Sequence, residues 1–132
     1  MSLVYLDSVI PIYILDGIDP FRTRAEVHYR AIMAAGDATA LSELTKLECR
    51  IGPLRSGSAV GLAAFELFFA SQTLVPLTVA VYERAAHIRA SYRFNLADAI
   101  HLAAAVEGRC DRYLTNDTDL ARFRDVAVEI LP

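Results

Sequence analysis

The sequence predicts an α/β fold in which helices cover both faces of a mainly parallel central sheet. Short apolar runs alternate with longer segments of helical periodicity from one end of the chain to the other. The short runs are apolar throughout, a pattern typical of strands that are buried on both faces. The length of 132 residues is that of one domain, so residues 1–132 are predicted to fold as a single unit.

Five segments have the composition of strands, because they are short, apolar and bounded by turn residues or charges. They are LVYL at 3–6, ATAL at 38–41, TLVPL at 73–77, RYLT at 112–115 and VAVEIL at 126–131. Pro76 cannot donate to a strand ladder, so the third strand is expected to end there or to lie at an edge of the sheet.

The first two helices are predicted from their cap residues. A short helix follows the first strand, with Asp7 or Ser8 at its N-cap. Asp19 and Pro20 are typical of an N-cap and a first helical residue, so the second helix is expected to begin there and to end at Gly36.

The third helix is predicted to begin after Ser42 and to carry one apolar stripe at helical spacing. The stripe consists of Leu44, Leu47, Ile51 and Leu54. Glu48 lies at its margin. The segment GPLRSG at 52–57 indicates a break, after which a fourth, strongly apolar helix, SAVGLAAFELFFA, is expected.

Thr78 is predicted to cap the fifth helix, and NLADAIHLAAAVEG at 95–108 supplies the sixth, which ends at Gly108. NDTDLARF predicts a turn into a short helix before the last strand. No internal repeat or low-complexity segment is found. In a parallel sheet of this kind, ligands bind at the carboxyl ends of the strands, where the strand order reverses.

Composition excludes several classes of protein. The net charge is −3, so binding of nucleic acid would need a local basic patch. Cys49 and Cys110 lack the spacing of a zinc site or a disulfide framework, which favours a reduced, cytoplasmic protein. No secretory signal is recognised, and polar residues interrupt the apolar stretch at 59–82, so no membrane span is expected.

Four acidic residues stand where the predicted fold would bring them together. Asp7 and Asp117 follow the first and fourth strands, and Asp98 and Glu48 lie near the starts of helices. Carboxylates converging in one crevice would repel each other, and Mg²⁺ or Mn²⁺ removes that penalty. Such ions polarise a phosphodiester and lower the pKa of bound water to about 7.

Each of these acids also has a purely structural interpretation. Asp7 and Asp117 could cap helices or turns, and Asp98 stands three residues after Asn95, as in a capping box. Glu48 could belong to a solvated helix face. His101, one turn after Asp98, is expected to be packed or to support a neighbour, whereas His28 and His87 are expected in solvent.

The chain resembles PIN-domain proteins of the VapC toxin type in four segments. VYLDS places the first metal-site aspartate on Asp7, and LSELTKLE places the second acid on Glu48. NLADAIHLAAA is the most specific match and assigns the third acid to Asp98. YLTND assigns the fourth acid to Asp117, with Asp119 as the competing position.

This resemblance implies a three-layer α/β/α sandwich and an endoribonuclease that depends on Mg²⁺ or Mn²⁺. It also implies the toxin of a toxin–antitoxin pair, a small cognate antitoxin, a homodimer and an RNA substrate, with structured RNA such as tRNA a common target. The candidates to meet the RNA backbone are the arginines of one helix, Arg22, Arg24 and Arg30, or those of another, Arg84, Arg89 and Arg93. Each of these arginines could instead belong to a solvated helix face.

Two other functions fit parts of the pattern. A PIN-like module could bind RNA or protein without cutting, and only a cleavage assay separates it from an enzyme. A receiver-like regulator that accepts a phosphoryl group shares the β/α order and the acidic strand ends. It needs an acidic pair after the first strand and a lysine after a late strand, and Lys46, the sole lysine, stands elsewhere.

Overall fold

A computed structural model describes residues 1–132 as five strands and six α-helices. The strands are β1 (Leu3–Leu6), β2 (Ala38–Leu41), β3 (Thr73–Leu74), β4 (Arg112–Thr115) and β5 (Ala127–Ile130). The helices are α1 (Val9–Asp16), α2 (Phe21–Ala34), α3 (Glu43–Ser56), α4 (Ala59–Ala70), α5 (Val79–Tyr92) and α6 (Leu96–Glu107). A 3₁₀ turn at Thr118–Arg122 precedes β5.

All strand pairs are parallel, and the order in the sheet is β3-β2-β1-β4-β5. Strands β2 and β3 therefore lie on one side of β1, and β4 and β5 lie on its other side. Tyr5 of β1 pairs with Tyr113 of β4 at this point. The strand order reverses between β1 and β4, which opens a crevice beyond the carboxyl ends of these two strands.

Alternate residues of β1 enter different hydrophobic cores. Tyr5 packs with Tyr113 and with the alanine-rich face of α6, whereas Val4 and Leu6 pack with Ile10 of α1 and with α2. A smaller core lies between β2, α3 and α4. Helices thus cover both faces of the sheet, so the predicted three-layer sandwich with a parallel sheet is confirmed.

The predicted break at 52–57 is wrong. Helix α3 continues through Gly52 and Pro53 to Ser56 and ends at Gly57, whose φ of 69° is the left-handed conformation common after helices. Pro53 is buried and lies close to Gly61 of α4. Packing between α3 and α4 therefore outweighs the local signal that favours a helix end.

The apolar stripe of α3 faces solvent rather than the core. The side chains of Leu47, Ile51 and Leu54 are 56%, 41% and 62% exposed. The buried side of the helix carries Thr45 and Cys49 instead, together with Pro53. The helical spacing was correct, but the more polar side of the helix packs inward.

Smaller differences concern boundaries and exposure. Pro20 is the N-cap of α2 and not its first residue, although the Asp19 carboxylate accepts a hydrogen bond from the Thr23 amide. Strand β3 ends at Leu74 and lies at the sheet edge. His28 is half-buried and bonded to Glu129 rather than solvated.

Both cysteines are free and buried. No helix combines the length and apolar character needed to cross a membrane.

Candidate active site

A cavity of about 670 Å³ opens at the carboxyl ends of β1 and β4, where the strand order reverses. All four predicted acids line it: Asp7, Glu48, Asp98 and Asp117. They come from the end of β1, from α3, from the first turn of α6 and from the loop after β4. The fold therefore brings together acidic residues that are far apart in the sequence.

Asp7 follows β1 directly, and its amide donates to the Leu114 carbonyl at 2.9 Å. The Thr115 hydroxyl donates to its Oδ2 at 2.6 Å. Burial raises the pKa of Asp7, although the charge on His101 and the bond from Thr115 act in the opposite direction. The N-cap position of α1 is occupied by Ser8, and Asp7 contacts the first turn of α1 through its backbone carbonyl, which accepts from the Ile10 amide at 2.9 Å.

Glu48 lies in the second turn of α3 with its carboxylate partly buried. One oxygen, Oε1, accepts hydrogen bonds from the Ser8 hydroxyl at 2.7 Å and from His101 Nε2 at 2.5 Å. Burial alone would raise the pKa of Glu48, but these two hydrogen bonds outweigh burial and lower it. The carboxylate is thus ionised, and its other oxygen, Oε2, accepts no hydrogen bond from the protein.

Asp98 is the least compensated of the four acids. Its amide donates to the Asn95 side chain at 2.8 Å, which is half of a capping box, and its own carboxylate accepts no hydrogen bond. Partial burial, followed by the charges of Asp7 and Asp117, raises the pKa of Asp98 to about 6. The dipole of α6 favours an anion here by only about 0.3–1 kcal/mol.

Asp117 is exposed, and its Oδ1 accepts a hydrogen bond from the Asp119 amide at 3.0 Å, so it caps the 3₁₀ turn. Its amide donates to the Thr115 hydroxyl at 3.1 Å. Asp119 does not line the cavity and pairs with Arg122 at 2.9 Å. Of the two aspartates in NDTD, Asp117 is the one that faces the other acids.

The donor set fits a hard divalent cation bound through water. No three acidic, histidine or cysteine side chains form a closed ligand cage. Mg²⁺ rarely needs one, because it keeps several waters and takes one or two carboxylates. The carboxylate of Asp98 and the free Oε2 of Glu48 are oxygens without protein donors, and a cation would offset both the burial and the carboxylate repulsion that raise the pKa of Asp98.

Sequence reasoning missed the one basic side chain that lines this cavity. Arg55 lies in the last turn of α3, two helical turns after Glu48 and hence on the same face, about 10 Å along the axis. Its side chain forms no ion pair. The spacing from Glu48 could have revealed it, but the expected break at 52–57 placed Arg55 outside the helix.

None of the arginines predicted to meet RNA lines the cavity. Arg22 pairs with Glu26, Arg84 pairs with Glu107, and Arg89 donates to the Phe94 carbonyl. Arg93 is the C-cap of α5, in a left-handed conformation. The contacts of Arg22, Arg84 and Arg89 therefore lie within or between helices and not at the acidic site.

The fold is that of several solved toxin–antitoxin structures. DNA-bound VapBC from Salmonella typhimurium matches with a TM-score of 0.79 and 16% identity, covering 100% of both chains. A toxin–antitoxin complex from Klebsiella pneumoniae has a TM-score of 0.76 and 23% identity, covering 94% of this chain and 95% of that one. VapC20 from Mycobacterium tuberculosis, described as a sarcin-ricin loop cleaving toxin, has a TM-score of 0.71 and 14% identity, with coverage of 94% and 98%.

The comparison with curated proteins gives no match. The family model described as PIN domain matches residues 4–126, from β1 to the residue before β5. The resemblance first noted in VYLDS and NLADAIHLAAA is thereby confirmed. Because the match spans nearly the whole chain, the protein belongs to the PIN domain family.

Proposed function

We propose that this protein is a metal-dependent endoribonuclease that acts as the toxin of a toxin–antitoxin pair. The observation that carries the proposal is the convergence of Asp7, Glu48, Asp98 and Asp117 on one open cavity where the strand order reverses. Support also comes from the similar solved structures, several of which are VapBC complexes and one of which is a sarcin-ricin loop cleaving toxin.

In this proposal the four carboxylates hold Mg²⁺ or Mn²⁺. When bound, such an ion polarises a phosphodiester and lowers the pKa of water to about 7. Asp7 and Asp98 are the principal ligands, because they flank the reversal point on a strand end and on a core helix. Glu48 contributes Oε2, and the exposed Asp117 completes the set from the loop after β4.

Arg55 explains how RNA enters a cavity lined with negative charge. Arg55 lines the cavity from the last turn of α3, and its guanidinium forms no ion pair with a carboxylate. A guanidinium binds phosphate through charge-assisted hydrogen bonds. We assign it to an RNA phosphate beside the one that is cleaved, with structured RNA such as tRNA as the target class.

The proposed partners are a small cognate antitoxin and a second copy of the chain. Apolar side chains exposed on α3, together with Val60 and Leu67 on α4, provide surface of the kind that protein partners cover. An antitoxin that binds there lies beside the cavity, because Ile51 belongs both to the exposed stripe and to the cavity wall.

The test is cleavage of RNA by purified protein with Mg²⁺ or Mn²⁺, and with excess chelator. We expect cleavage that requires the ion and is lost in Asp7→Asn and Asp98→Asn, which change the shape of the side chain little. Inducible expression of the wild type, but not of Asp98→Asn, is expected to arrest growth, and sequencing of RNA ends identifies the target.

RNA that stays intact with every ion and every RNA class would refute the nuclease and favour a PIN-fold binding module. If the wild type and Asp98→Asn arrest growth equally, the toxicity does not depend on the acidic residues of the cavity. Copurification of the chain with its antitoxin, followed by light scattering of each form, measures the proposed complex and the homodimer.

A further inference from the structure

A chain of buried polar side chains leads from the core of the sheet to the acidic cavity. The Tyr5 hydroxyl lies 2.7 Å from His101 Nδ1, and His101 Nε2 lies 2.5 Å from Glu48 Oε1. Tyr5 is fully buried in β1, and His101 on α6 is 1% exposed. At the far end, the Tyr5 hydroxyl is 2.8 Å from the Ser42 hydroxyl, which is also fully buried.

The hydrogen-bond direction at Glu48 is fixed by chemistry. An ionised carboxylate only accepts, so His101 Nε2 must carry a hydrogen and donate. This holds whether the ring is neutral or protonated, because Nε2 carries a hydrogen in both forms. The Tyr5 hydroxyl can donate to or accept from Nδ1. It therefore holds the imidazole in the same orientation in either case.

Both donors meet the same oxygen of Glu48. His101 and Ser8 contact Oε1, and Oε2 has no protein partner. A glutamate side chain has three rotatable bonds and loses much rotamer freedom when it is ordered. Two donors on one oxygen remove that freedom before any ligand arrives, and they leave the second oxygen for the cavity.

We propose that His101 is a positioning residue, held by Tyr5, that presents Oε2 of Glu48 to a divalent cation in the cavity. The inference rests on the proposed function, since it presumes that Glu48 is a ligand. Partners that orient metal ligands in this way commonly change metal affinity by about 10–100-fold when they are removed. A histidine that only fills the core would influence stability and leave the affinity of the folded protein unchanged.

Two amide variants of equal chemistry separate these roles. His101→Gln carries its NH₂ group near the place of Nε2 and reaches Glu48, whereas the shorter His101→Asn places it near Nδ1 and reaches only Tyr5. We expect the Mn²⁺ dissociation constant, measured by calorimetry on protein shown to be folded, to rise about 10-fold or more in His101→Asn. In His101→Gln we expect a change below about 3-fold.

A double-mutant cycle with Glu48→Gln provides the decisive control. If His101 acts through Glu48, His101→Asn adds little loss of Mn²⁺ affinity once the carboxylate has gone. Wild-type affinity in His101→Asn, equal losses in the two amide variants, or full additivity in the cycle would each overturn the proposal. If His101→Asn does not fold, Tyr5→Phe takes its place, with an expected loss of a few-fold, and unchanged affinity there would also overturn it.

The same measurements distinguish failure of the positioning role of His101 from failure of the proposed nuclease activity. If the wild type binds Mn²⁺ and cuts no RNA, the proposed activity fails while the metal affinities still decide the role of His101. If the wild type binds no Mn²⁺, both fail together. If the wild type cuts RNA and the affinities of all His101 variants are alike, only the positioning role fails.

Discussion

Thr115 donates its hydroxyl hydrogen to Oδ2 of Asp7 at 2.6 Å, and its oxygen accepts the amide hydrogen of Asp117 at 3.1 Å. One fully buried hydroxyl thus connects two of the four acids, one at the end of β1 and one in the loop after β4. Neither aspartate can shift toward or away from the cavity without disturbing the same side chain.

The substitution Thr115→Val keeps the shape of the side chain and removes its hydrogen bonds with Asp7 and with the Asp117 amide. We expect the free energy of unfolding to fall by about 1–3 kcal/mol, because a buried acceptor and a backbone donor lose their partner. The Mn²⁺ dissociation constant is expected to rise about 10-fold. Chemical denaturation and calorimetry measure the two effects. Thr115→Ser retains the hydroxyl and should resemble the wild type, and identical Mn²⁺ binding in Thr115→Val would contradict the role assigned here.

Asp98 makes the metal-free protein sensitive to pH. Its pKa is about 6 in the folded protein and 3.8 for an unperturbed aspartate, so folding disfavours the charged form. The resulting penalty is absent below pH 3.8, grows as the pH rises toward 6 and is complete above it. Asp98→Asn removes the charge. We expect this variant to be more stable than the wild type at pH 7.5 in chelator, by about 1 kcal/mol after solvent screening.

Thermal melts across this pH range test the expectation. The difference between the two proteins should vanish at the acidic end. Adding Mn²⁺ should stabilise the wild type more than Asp98→Asn, because only the wild type keeps the full ligand set. A wild type that is the more stable protein at pH 7.5 in chelator would show that burial and repulsion do not penalise the charged Asp98 carboxylate.

Asp117 and Asp119 provide a matched pair in one short turn. Asp117→Asn keeps an oxygen for the Asp119 amide but removes a charge from the cavity, so we expect RNA cleavage to fall at least about 10-fold. Asp119→Asn disrupts only an exposed ion pair with Arg122, which should change stability by less than about 1 kcal/mol and leave cleavage unchanged. If Asp119→Asn reduces RNA cleavage and Asp117→Asn does not, the fourth acid of the site is Asp119 and not Asp117.

Arg55 should control substrate binding rather than chemistry. We expect Arg55→Ala to raise KM for RNA about 10-fold with little change in kcat, since a hydrogen bond between charged partners is lost. The dependence of binding on salt should also weaken, by about 0.7 in the logarithmic slope for one phosphate contact. Arg124, exposed and outside the cavity, supplies the control: Arg124→Ala should match the wild type, and an equal effect in both variants would indicate only general charge attraction.

The sequence predicted the strands well because each is a short apolar run with a turn residue at its end. LVYL, ATAL and RYLT begin and end as expected. The same reasoning failed at Pro53, where packing against α4 keeps a helix intact despite a residue that favours its end. Local propensity cannot anticipate this, because the stabilising neighbour lies on another helix.

The acidic residues could be found from the sequence, and His101 was expected to be packed or to support a neighbour, whereas the contacts of the supporting side chains could not be found. Asp7 and Asp117 are adjacent to strand ends, so their convergence follows from a parallel sheet. The bond between His101 and Glu48 joins α6 to α3, and nothing in the spacing of the two residues indicates it. Arg55 was overlooked because the helix that carries it was expected to end earlier.

The strand order determines how much of the chain must be present before the cavity can form. β1 is synthesised before its neighbour β2, whereas its second neighbour, β4, follows only after β3, α5 and α6. Until β4 is added, the edge of β1 that pairs with it has no partner strand, and Asp7 lacks its hydrogen bond from Thr115. A chain that stops before β4 therefore cannot assemble the cavity, because Thr115, Asn116 and Asp117, which line it, come after that point.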